Sequence, residues 1–196
     1  MVRRIVLASR NPGKRREIEP AFQSRGWELL DLDHLDIESP EETATTFVEN
    51  ALLKAHHAAK QSGLWVLAED SGLCVPALGG QPGVYSARFA GDEASDAANN
   101  ARLLAEMHSL AGPERNAYFI CVMVLLHGPE DPLPVISTGR WMGSIATEAQ
   151  GQDGFGYDPI FLPDATPGRS AAELDRAEKN RVSHRAQALE SMLHEL

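Results

Sequence analysis

Short apolar runs alternate along this chain with longer stretches in which apolar residues recur at helical spacing. Residues 4–8 and the segment Trp27–Leu32 are short apolar runs, which are typical of β-strands. The turn Asn11–Gly13 lies between them and predicts a helix that begins near Gly13. We expect Pro20 to kink this helix, because proline lacks an N–H and crowds the carbonyl group four residues earlier.

The clearest helical pattern covers Phe47–Gly63. One face of this segment carries small apolar side chains that permit close packing against a sheet, at Phe47, Ala51, Ala55 and Ala58. Another side carries polar residues at spacings of four and three, at Asn50, Lys54 and His57. We interpret this polar side as a solvated stripe opposite the core.

Two capping boxes compete for the start of that helix. Ser39 pairs with Glu42 in one, and Thr46 pairs with Glu49 in the other. We favour the second start, because the segment 43–46 contains three threonines, which propagate a helix poorly. Glu42 then lies in a loop, where it is free to bind a metal ion.

The segment Leu64–Asp70 is an apolar run that ends in two carboxylates, which predicts a central strand. If the strand continues, Glu69 and Asp70 point to opposite faces of the sheet. If Asp70 already lies in a turn, both carboxylates can approach one hard cation. Asp70, Ser71 and Gly72 also suit a simple turn without any functional role, and for this motif taken alone we favour that turn.

The second half of the chain predicts both strands and helices. A glycine-rich loop at 79–83 precedes a helical pattern at 94–107, and β-rich stretches at 117–127 and 134–146 predict an antiparallel pair. A last helix begins near Ser183. This order of elements predicts an α/β protein with a mixed sheet.

Composition limits the classes of function. With 196 residues the chain forms one domain by our interpretation, residues 1–196, and its formal net charge of -10 disfavours binding to nucleic-acid polymers. No apolar run approaches the length needed to span a bilayer, and no signal-peptide core precedes the first polar loop, so we expect a cytoplasmic protein that binds no membrane. Cys74 and Cys121 lie in apolar runs without metal-ligand spacing and are interpreted as free core thiols.

Three segments carry candidate chemistry. The segment Ser9–Lys14 joins a strand to a basic helix, so it could hold phosphate, although it matches neither the Walker nor the dinucleotide pattern. In the segment Gly154–Pro159, Phe155 and Tyr157 lie among glycines, which suits either base stacking or a tight turn with core aromatics. Lys179 and the segment Ser183–Arg185 supply donors near the start of the last helix, where Ser183 also suits a structural cap.

Taken together, these segments resemble the inosine triphosphate pyrophosphatase family, and in particular its bacterial branch that acts on non-standard purine nucleotides. The resemblance runs nearly from end to end and rests on ASRNPGK, EETATTFVENALLKA, EDSGL, LGGQPGVYSARFAG, GFGYDPIF and AELDRAEKNRVSHRAQAL. It implies an elongated mixed sheet flanked by helices, with two lobes and a nucleotide cleft between them. It also implies a homodimer that uses Mg²⁺ to hydrolyse ITP, dITP and XTP to the monophosphate and pyrophosphate, which clears deaminated purines from the nucleotide pool.

The resemblance also implies roles for individual residues. Asp70 matches the proton acceptor, and Glu42 and Asp70 match the metal-binding positions. Substrate-binding positions match Ser9, Arg10, Asn11, Pro12, Gly13, Lys14, Lys54, Ser71, Phe155, Gly156, Tyr157, Asp158, Lys179, His184 and Arg185. An N–H group of Arg185 aimed at the six position of the base would donate to the keto oxygen of hypoxanthine or xanthine. It would not pair with the amino group of adenine, which is itself a donor. Rejection of GTP requires a second contact at its two-amino group.

The chain departs from the family pattern at two positions. Arg10 replaces a glycine, which stiffens the loop or adds a phosphate donor, and Glu69 replaces an aspartate, which moves that carboxylate outward by one methylene group. A related pyrophosphatase for modified pyrimidines is the alternative enzyme, although the SHR and FGYD segments resemble the purine branch. A nucleotide sensor without turnover is the alternative from another class, and Lys14, Glu42 and Asp70 argue against it.

Overall fold

The computed structural model describes residues 3–196, which form six β-strands and five α-helices. In chain order these are β1 (Arg3–Leu7), α1 (Pro12–Gln23), β2 (Trp27–Asp31), α2 (Phe47–Ser62), β3 (Trp65–Cys74), α3 (Asp96–Glu106), β4 (Asn116–Leu126), β5 (Val135–Ile145), β6 (Phe161–Pro163), α4 (Arg176–Val182) and α5 (His184–His194). Short 3-10 turns connect several of them.

The six strands form one mixed sheet in the order β2-β1-β3-β4-β5-β6. Strand β1 runs parallel to β2 and to β3, whereas β5 and β6 are antiparallel. The predicted α/β class and mixed sheet are therefore confirmed. Strand β3 has a neighbour on each side, which is the interior position that its apolar sequence predicts.

The chain divides into two compact units. Among the described residues, the first comprises the chain up to Asp70, Cys121–Gly139 and Arg185–Leu196, and the second comprises Ser71–Ile120 and Arg140–His184. The core of the first unit contains Ile5, Leu7, Ile18, Phe22, Leu29, Leu67, Cys121, Met123, Leu125, Ala188, Leu189 and Met192. The core of the second contains Leu73, Val75, Phe89, Leu103, Met107, Ala117, Phe119, Trp141, Ile145, Tyr157, Ile160, Phe161, Ala171 and Leu174.

Helix α1 starts where the sequence predicts, with Asn11 as its cap and Pro12 in its first turn. The helix continues through Pro20 as far as Gln23. Proline removes one backbone hydrogen bond there, but the buried side chains of Ile18 and Phe22 anchor the helix on both sides of it. Strand β2 also forms at the predicted segment.

Helix α2 confirms the second of the two possible starts. The Thr46 side chain accepts a hydrogen bond from the Glu49 backbone amide at 3.3 Å and donates one to the Glu49 carboxylate at 2.6 Å. Glu42 lies in the preceding loop, as this start requires. The predicted solvated stripe is wrong for Asn50 and Lys54, which are 0% and 7% exposed, because both side chains bind groups of the protein.

Strand β3 is longer than the apolar run predicted. It continues through Asp70 and Ser71 to Cys74, so the interpretation of residues 70–72 as a turn is wrong. Pairing within the sheet keeps this segment extended although its residue types suit turns. Adjacent side chains of a strand point to opposite faces, and Glu69 and Asp70 accordingly meet different partners.

The remaining elements agree with the sequence in position, with additions near the C-terminal end. The helical pattern at 94–107 and both β-rich stretches form α3, β4 and β5. The segment before the last helix contains β6 and α4, which the polar sequence did not predict. Both cysteines are free and buried, as expected. Within residues 3–196, no helix is both long enough and apolar enough to cross a membrane.

The cap of α2 gives a stability test. We expect Thr46→Ala to lower the free energy of unfolding by about 1 kcal/mol, because the Glu49 amide loses its acceptor. Thr46→Ser keeps the hydroxyl group and serves as the control. Urea denaturation of the two variants measures the difference, and equal stability of alanine and serine at this position would contradict the role of the cap.

Candidate functional site

The loop before α1 is organised by its own side chains. Asn11 accepts hydrogen bonds from the backbone amides of Gly13 at 2.8 Å and Lys14 at 3.1 Å, and Ser9 accepts one from the Asn11 amide at 3.2 Å. These are amides at the helix N-terminus, where anions are favoured. Because Asn11 occupies two of them, a phosphate group that bound there would replace the Asn11 oxygen as acceptor.

Arg10 fastens this loop to the segment that follows β2. Its guanidinium donates to Asp33 at 2.9 Å and to the Ile37 carbonyl group at 3.0 Å. Of the two consequences expected for this residue, the structure therefore favours a stiffer loop. The Asp33 carboxylate also offsets part of the charge that Arg10 would bring to a phosphate.

A group of four charges, two of them buried and two partly buried, lies beside the loop. The Lys14 ammonium forms an ion pair with Glu69 Oε1 at 2.8 Å, with angles outside hydrogen-bond geometry. Arg185 Nε donates to Glu69 Oε2 at 3.1 Å, and Arg185 Nη1 donates to Glu17 Oε2 at 2.6 Å. Glu69 and Arg185 are 1% and 2% exposed. The two cations and two anions balance, which is what burial of such charges requires.

A thiol completes the surroundings of Glu69. Cys121 Sγ on strand β4 donates to Glu69 Oε2 at 3.0 Å. Burial acts to raise the pKa of Glu69, but the positive charges of Arg185 and Lys14 hold it far below its ordinary value. Burial and the adjacent Glu69 charge raise the pKa of the Cys121 thiol well above its ordinary value. Glu69 is therefore ionised and Cys121 stays a neutral donor.

The second carboxylate of β3 belongs to a separate group. Lys54 donates to Asp70 Oδ1 at 2.9 Å and to Glu42 Oε1 at 3.1 Å, so that one ammonium joins both carboxylates. Burial raises the pKa of Asp70, and the Glu42 charge adds to this rise while Lys54 opposes it. Burial acts to lower the pKa of Lys54, but Asp70 and Glu42 raise it above its ordinary value. A raised pKa is the property that a carboxylate acting as a proton acceptor requires.

Helix α2 holds the Glu42 loop in place. Asn50 accepts from the Ala44 amide at 3.0 Å and donates to the Ala44 carbonyl oxygen at 3.3 Å, and its amide nitrogen lies 3.5 Å from Asp70 Oδ2. One turn further, Lys54 binds Glu42, and His57 Nε2 lies 2.9 Å from the Glu38 carbonyl oxygen. The polar side of the helix thus serves to position the loop.

The donor set of this second group suits a magnesium ion. Glu42 and Asp70 are hard oxygen donors that reach the same ammonium, and Mg²⁺ is commonly bound by one or two carboxylates together with waters and substrate phosphates. Residues 3–196 contain no cluster of three or more histidine, cysteine or acidic side chains suited to a metal ion. Glu42 and Asp70 could therefore supply only part of the ligands of such an ion, and waters and substrate phosphates would have to supply the others.

In the second unit, Asp158 organises the GFGYD segment. Its carboxylate accepts from the Phe155 amide at 2.8 Å and from Lys179 at 2.6 Å. Gly154 has a φ of +83°, and a Cβ atom there would lie 2.2 Å from Asp158 Oδ2, so only glycine fits. Lys179 also lies 4.7 Å from the centre of the Phe155 ring. Phe155 is only partly buried, which leaves part of its side chain available to a ligand.

Tyr157 and Gly156 have structural contacts in the same unit. Tyr157 belongs to the core, and its hydroxyl donates to the Ser86 carbonyl oxygen at 2.8 Å. The Gly156 amide donates to Asp96 at 2.6 Å, and its carbonyl accepts from Asn100 at 3.0 Å. The sequence left two interpretations of this segment open, base stacking or a tight turn with core aromatics. Tyr157 is a core aromatic, as the second requires, whereas Phe155 is only partly buried and still suits the first.

Two predicted residues remain. His184 is buried and stacks on Phe119 with 4.8 Å between the ring centres and 10° between the ring planes. Ser71 lies within β3. Both positions are substrate contacts only by resemblance, and those roles stay predictions.

Several residues that form hydrogen bonds with the predicted site residues or with Glu69 were not identified from the sequence. They are Glu17, Asp96, Asn100 and Cys121. Cys121 is 52 residues from Glu69 along the chain, and Glu17 is 168 residues from Arg185. Spacing within a single element carries no signal for such contacts. Asn50 is different, because its position four residues before Lys54 on helix α2 could have indicated that the two side chains act on the same loop.

Comparison with known proteins agrees with the motifs. The model of the Ham1 family matches residues 5–195. A protein of Yersinia pseudotuberculosis named dITP/XTP pyrophosphatase is 50% identical over 195 residues, which are 100% of this chain and 98% of that protein. One of Halorhodospira halophila with the same name is 52% identical over 190 residues, or 97% of this chain and 95% of that protein.

Solved structures give the same result for the fold. A HAM1 protein from Coxiella burnetii is 45% identical, with a TM-score of 0.91 and coverage of 100% of both chains. The Ham1 protein of Staphylococcus aureus is 38% identical, with a TM-score of 0.86, and the match covers 98% of this chain and 97% of that one. The resemblance found in the sequence is therefore confirmed.

The buried charge on Glu69 predicts how stability depends on pH. Its folded-state pKa lies below the ordinary value of 4.5, so the unfolded state binds more protons and the stabilisation is lost as pH falls below that value. We expect Glu69→Gln to destabilise the protein at about pH 7 and to do so less at about pH 3, because below pH 4.5 the unfolded wild type binds a proton at Glu69 and part of the stabilisation linked to the ionised carboxylate is lost.

Urea denaturation of both proteins across this pH range checks the expectation. Glu19→Gln is the control. Glu19 is a partly exposed residue of helix α1 that forms an ion pair with Arg15 of the same helix. A difference between wild type and Glu69→Gln that stayed constant with pH would contradict a buried, ionised Glu69.

Proposed function

The chain belongs to the Ham1 family, and from that membership together with its site geometry we propose that it hydrolyses non-standard purine nucleoside triphosphates. The proposed substrates are ITP, dITP and XTP, and the products are the monophosphate and pyrophosphate. The observation that carries the proposal is the group formed by Lys54, Asp70 and Glu42, in which a basic carboxylate lies beside a cation and a second carboxylate. The names of relatives that are about half identical over the full chain support the same chemistry.

Phosphoryl transfer depends mainly on positioning and on neutralisation of charge, so no covalent nucleophile is needed. We assign the grip on the triphosphate to Lys14, Lys54 and the amides at the start of α1. Asp70, whose pKa is raised by burial, takes the proton of the attacking water. The bond that breaks is the anhydride between the first and second phosphate groups, and the leaving pyrophosphate carries the developing charge.

Glu42 and Asp70 are the residues that would hold Mg²⁺ in this scheme. When bound, the ion neutralises phosphate charge and helps to orient the substrate. The Lys54 ammonium lies 2.9 Å from Asp70 and 3.1 Å from Glu42 and so holds both carboxylates near one point. Asn50 fixes the loop that carries Glu42. These protein groups prepare the oxygen donors before substrate arrives.

Selectivity for the base is assigned to the residues that the family resemblance marks as base contacts. Phe155 offers a partly exposed ring for stacking, which adds affinity for any base. Lys179, His184 and the GFGYD segment are proposed base contacts. Arg185 is proposed to donate to the six-keto group of hypoxanthine or xanthine, whereas the six-amino group of adenine would place two donors against each other. Such a mismatch costs about 1 to 3 kcal/mol if it is buried.

The proposal extends to the setting of the enzyme. An enzyme that clears deaminated purines from the nucleotide pool would work in the cytoplasm, and we propose that location for this chain. We also propose that it acts as a homodimer, as the family resemblance implies. The substrate is a small molecule, so no nucleic-acid polymer is involved, which agrees with the net charge of -10.

The test of the activity uses ITP, GTP and ATP in parallel, with and without magnesium, and identifies the products by chromatography. We expect monophosphate and pyrophosphate from ITP in the presence of magnesium, and little turnover of ATP. Release of orthophosphate, or equal use of ATP, would contradict the proposed cleavage or the proposed base selectivity. Turnover restricted to modified pyrimidine nucleotides would favour the alternative enzyme.

Asp70 gives a separate test of the mechanism. We expect Asp70→Asn to lower kcat by about 10²- to 10⁴-fold, because the amide cannot accept the proton, while nucleotide binding remains measurable. Asp164→Asn changes an exposed aspartate and is the control. Calorimetric titration with ITP and steady-state kinetics separate binding from turnover, and an unchanged kcat would remove Asp70 from the role of proton acceptor.

A further inference from the structure

Four charged side chains of the first unit form a closed ring through helix α1. Lys14 and Glu17 lie three residues apart on the helix and therefore on one side of it. Lys14 contacts Glu69, Glu69 binds Arg185, and Arg185 binds Glu17, which returns to the same helix. Positive and negative charges alternate around the ring.

The contacts of this ring differ in kind. Arg185 is held by two directional hydrogen bonds, from Nε at 3.1 Å and from Nη1 at 2.6 Å, and its guanidinium is planar and rigid. The Lys14 ammonium lies 2.8 Å from Glu69 Oε1, and its side chain is 16% exposed, against 2% for Arg185. Lys14 therefore has more room to turn toward a phosphate group, whereas Arg185 stays fixed in orientation.

We infer that Glu17 is a positioning residue for base selectivity: together with Glu69 it fixes the orientation of the Arg185 guanidinium. The inference rests on the proposed function, in which Arg185 donates to the six-keto group of the base. A donor discriminates between a keto and an amino group only if it cannot turn away from the wrong one. Two carboxylates on two edges of the guanidinium supply that restraint.

The location of Glu17 gives the restraint a second consequence. Glu17 lies one turn after the phosphate loop on α1, so the helix that presents Lys14 to the triphosphate also supplies an anchor for Arg185. Its side chain is 12% exposed, and the contact with Arg185 spans 168 residues of sequence.

The test is Glu17→Gln, which keeps the size of the side chain but removes its charge. We expect the ratio of kcat/KM for ITP to that for ATP to fall about tenfold, mainly through loss of ITP turnover, because Arg185 loses a charged hydrogen bond that fixes its orientation. Inhibition by inorganic tripolyphosphate, which reports on the phosphate grip alone, is expected to change by less than about twofold, because Lys14 retains its own contact with Glu69.

Two further variants make the result specific. Glu19→Gln changes an acidic residue of the same helix that pairs with Arg15, and we expect it to leave the ITP to ATP ratio unchanged. Glu69→Gln is expected to lower the ratio as well, and the double variant to lower it by less than the product of the two single effects, because both carboxylates act on one guanidinium. Circular dichroism and thermal denaturation establish that each variant is folded.

The outcomes separate the inference from the proposed function. A wild-type enzyme that prefers ITP, with a Glu17→Gln variant that loses activity on both substrates and keeps their ratio, would overturn the inference alone. A wild-type enzyme without preference for keto purines would overturn the proposed selectivity and the inference with it. An increase of the tripolyphosphate inhibition constant that matched the loss of ITP turnover would assign Glu17 to the phosphate grip instead.

Discussion

Adjacent side chains of a β-strand point to opposite faces of the sheet, and in this protein that constraint separates Glu69 from Asp70. One carboxylate meets Lys14, Arg185 and Cys121, and the other meets Lys54 and Asn50. Two neighbouring acids thereby acquire opposite properties. Glu69 is held ionised by two cations, whereas burial makes Asp70 the stronger base.

The contrast in pKa has a simple electrostatic origin. Both carboxylates are buried, and burial alone raises the pKa of each. Glu69 has two cationic partners, and their charges outweigh the desolvation. Asp70 shares its ion-pair partner, Lys54, with a second carboxylate, Glu42, and the charges of Lys54 and Lys14 do not outweigh burial, so its pKa is raised. A strand that places one residue on each face can thus hold two neighbouring acids with pKa values shifted in opposite directions.

The extent to which the sequence predicted this arrangement depends on the range of the contacts. The cap of α2 at Thr46 and the loop position of Glu42 follow from residues within a few positions, and both were predicted. The end of β3 was predicted wrongly, because Asp70, Ser71 and Gly72 suit a turn and only pairing in the sheet keeps them extended. The partners of Glu69 come from distant parts of the chain, and no local pattern identifies them.

The same distinction applies to the polar side of α2. The spacing of these polar residues was visible in the sequence. A solvated polar stripe and a row of buried, hydrogen-bonded side chains have the same spacing, so the pattern alone favoured the solvated stripe, which is the commoner of the two. The loop at residues 37–44 decides the matter, because it covers Asn50 and Lys54 and supplies Ala44 and Glu42 as their partners. Long loops that lack regular structure are difficult to place from sequence, and here the loop carries a candidate metal ligand.

A net charge of -10 does not prevent a protein from binding a triphosphate, because the relevant field is local. Lys14 and Arg185 are balanced by Glu69 and Glu17, and Lys54 by Asp70 and Glu42, so each group is close to neutral or negative before substrate arrives. An anionic substrate therefore needs either a cation of its own or a change of partners by Lys14 and Lys54. The pairing of Lys54 with two carboxylates suited to a hard cation fits that requirement, if Lys54 binds phosphate as proposed.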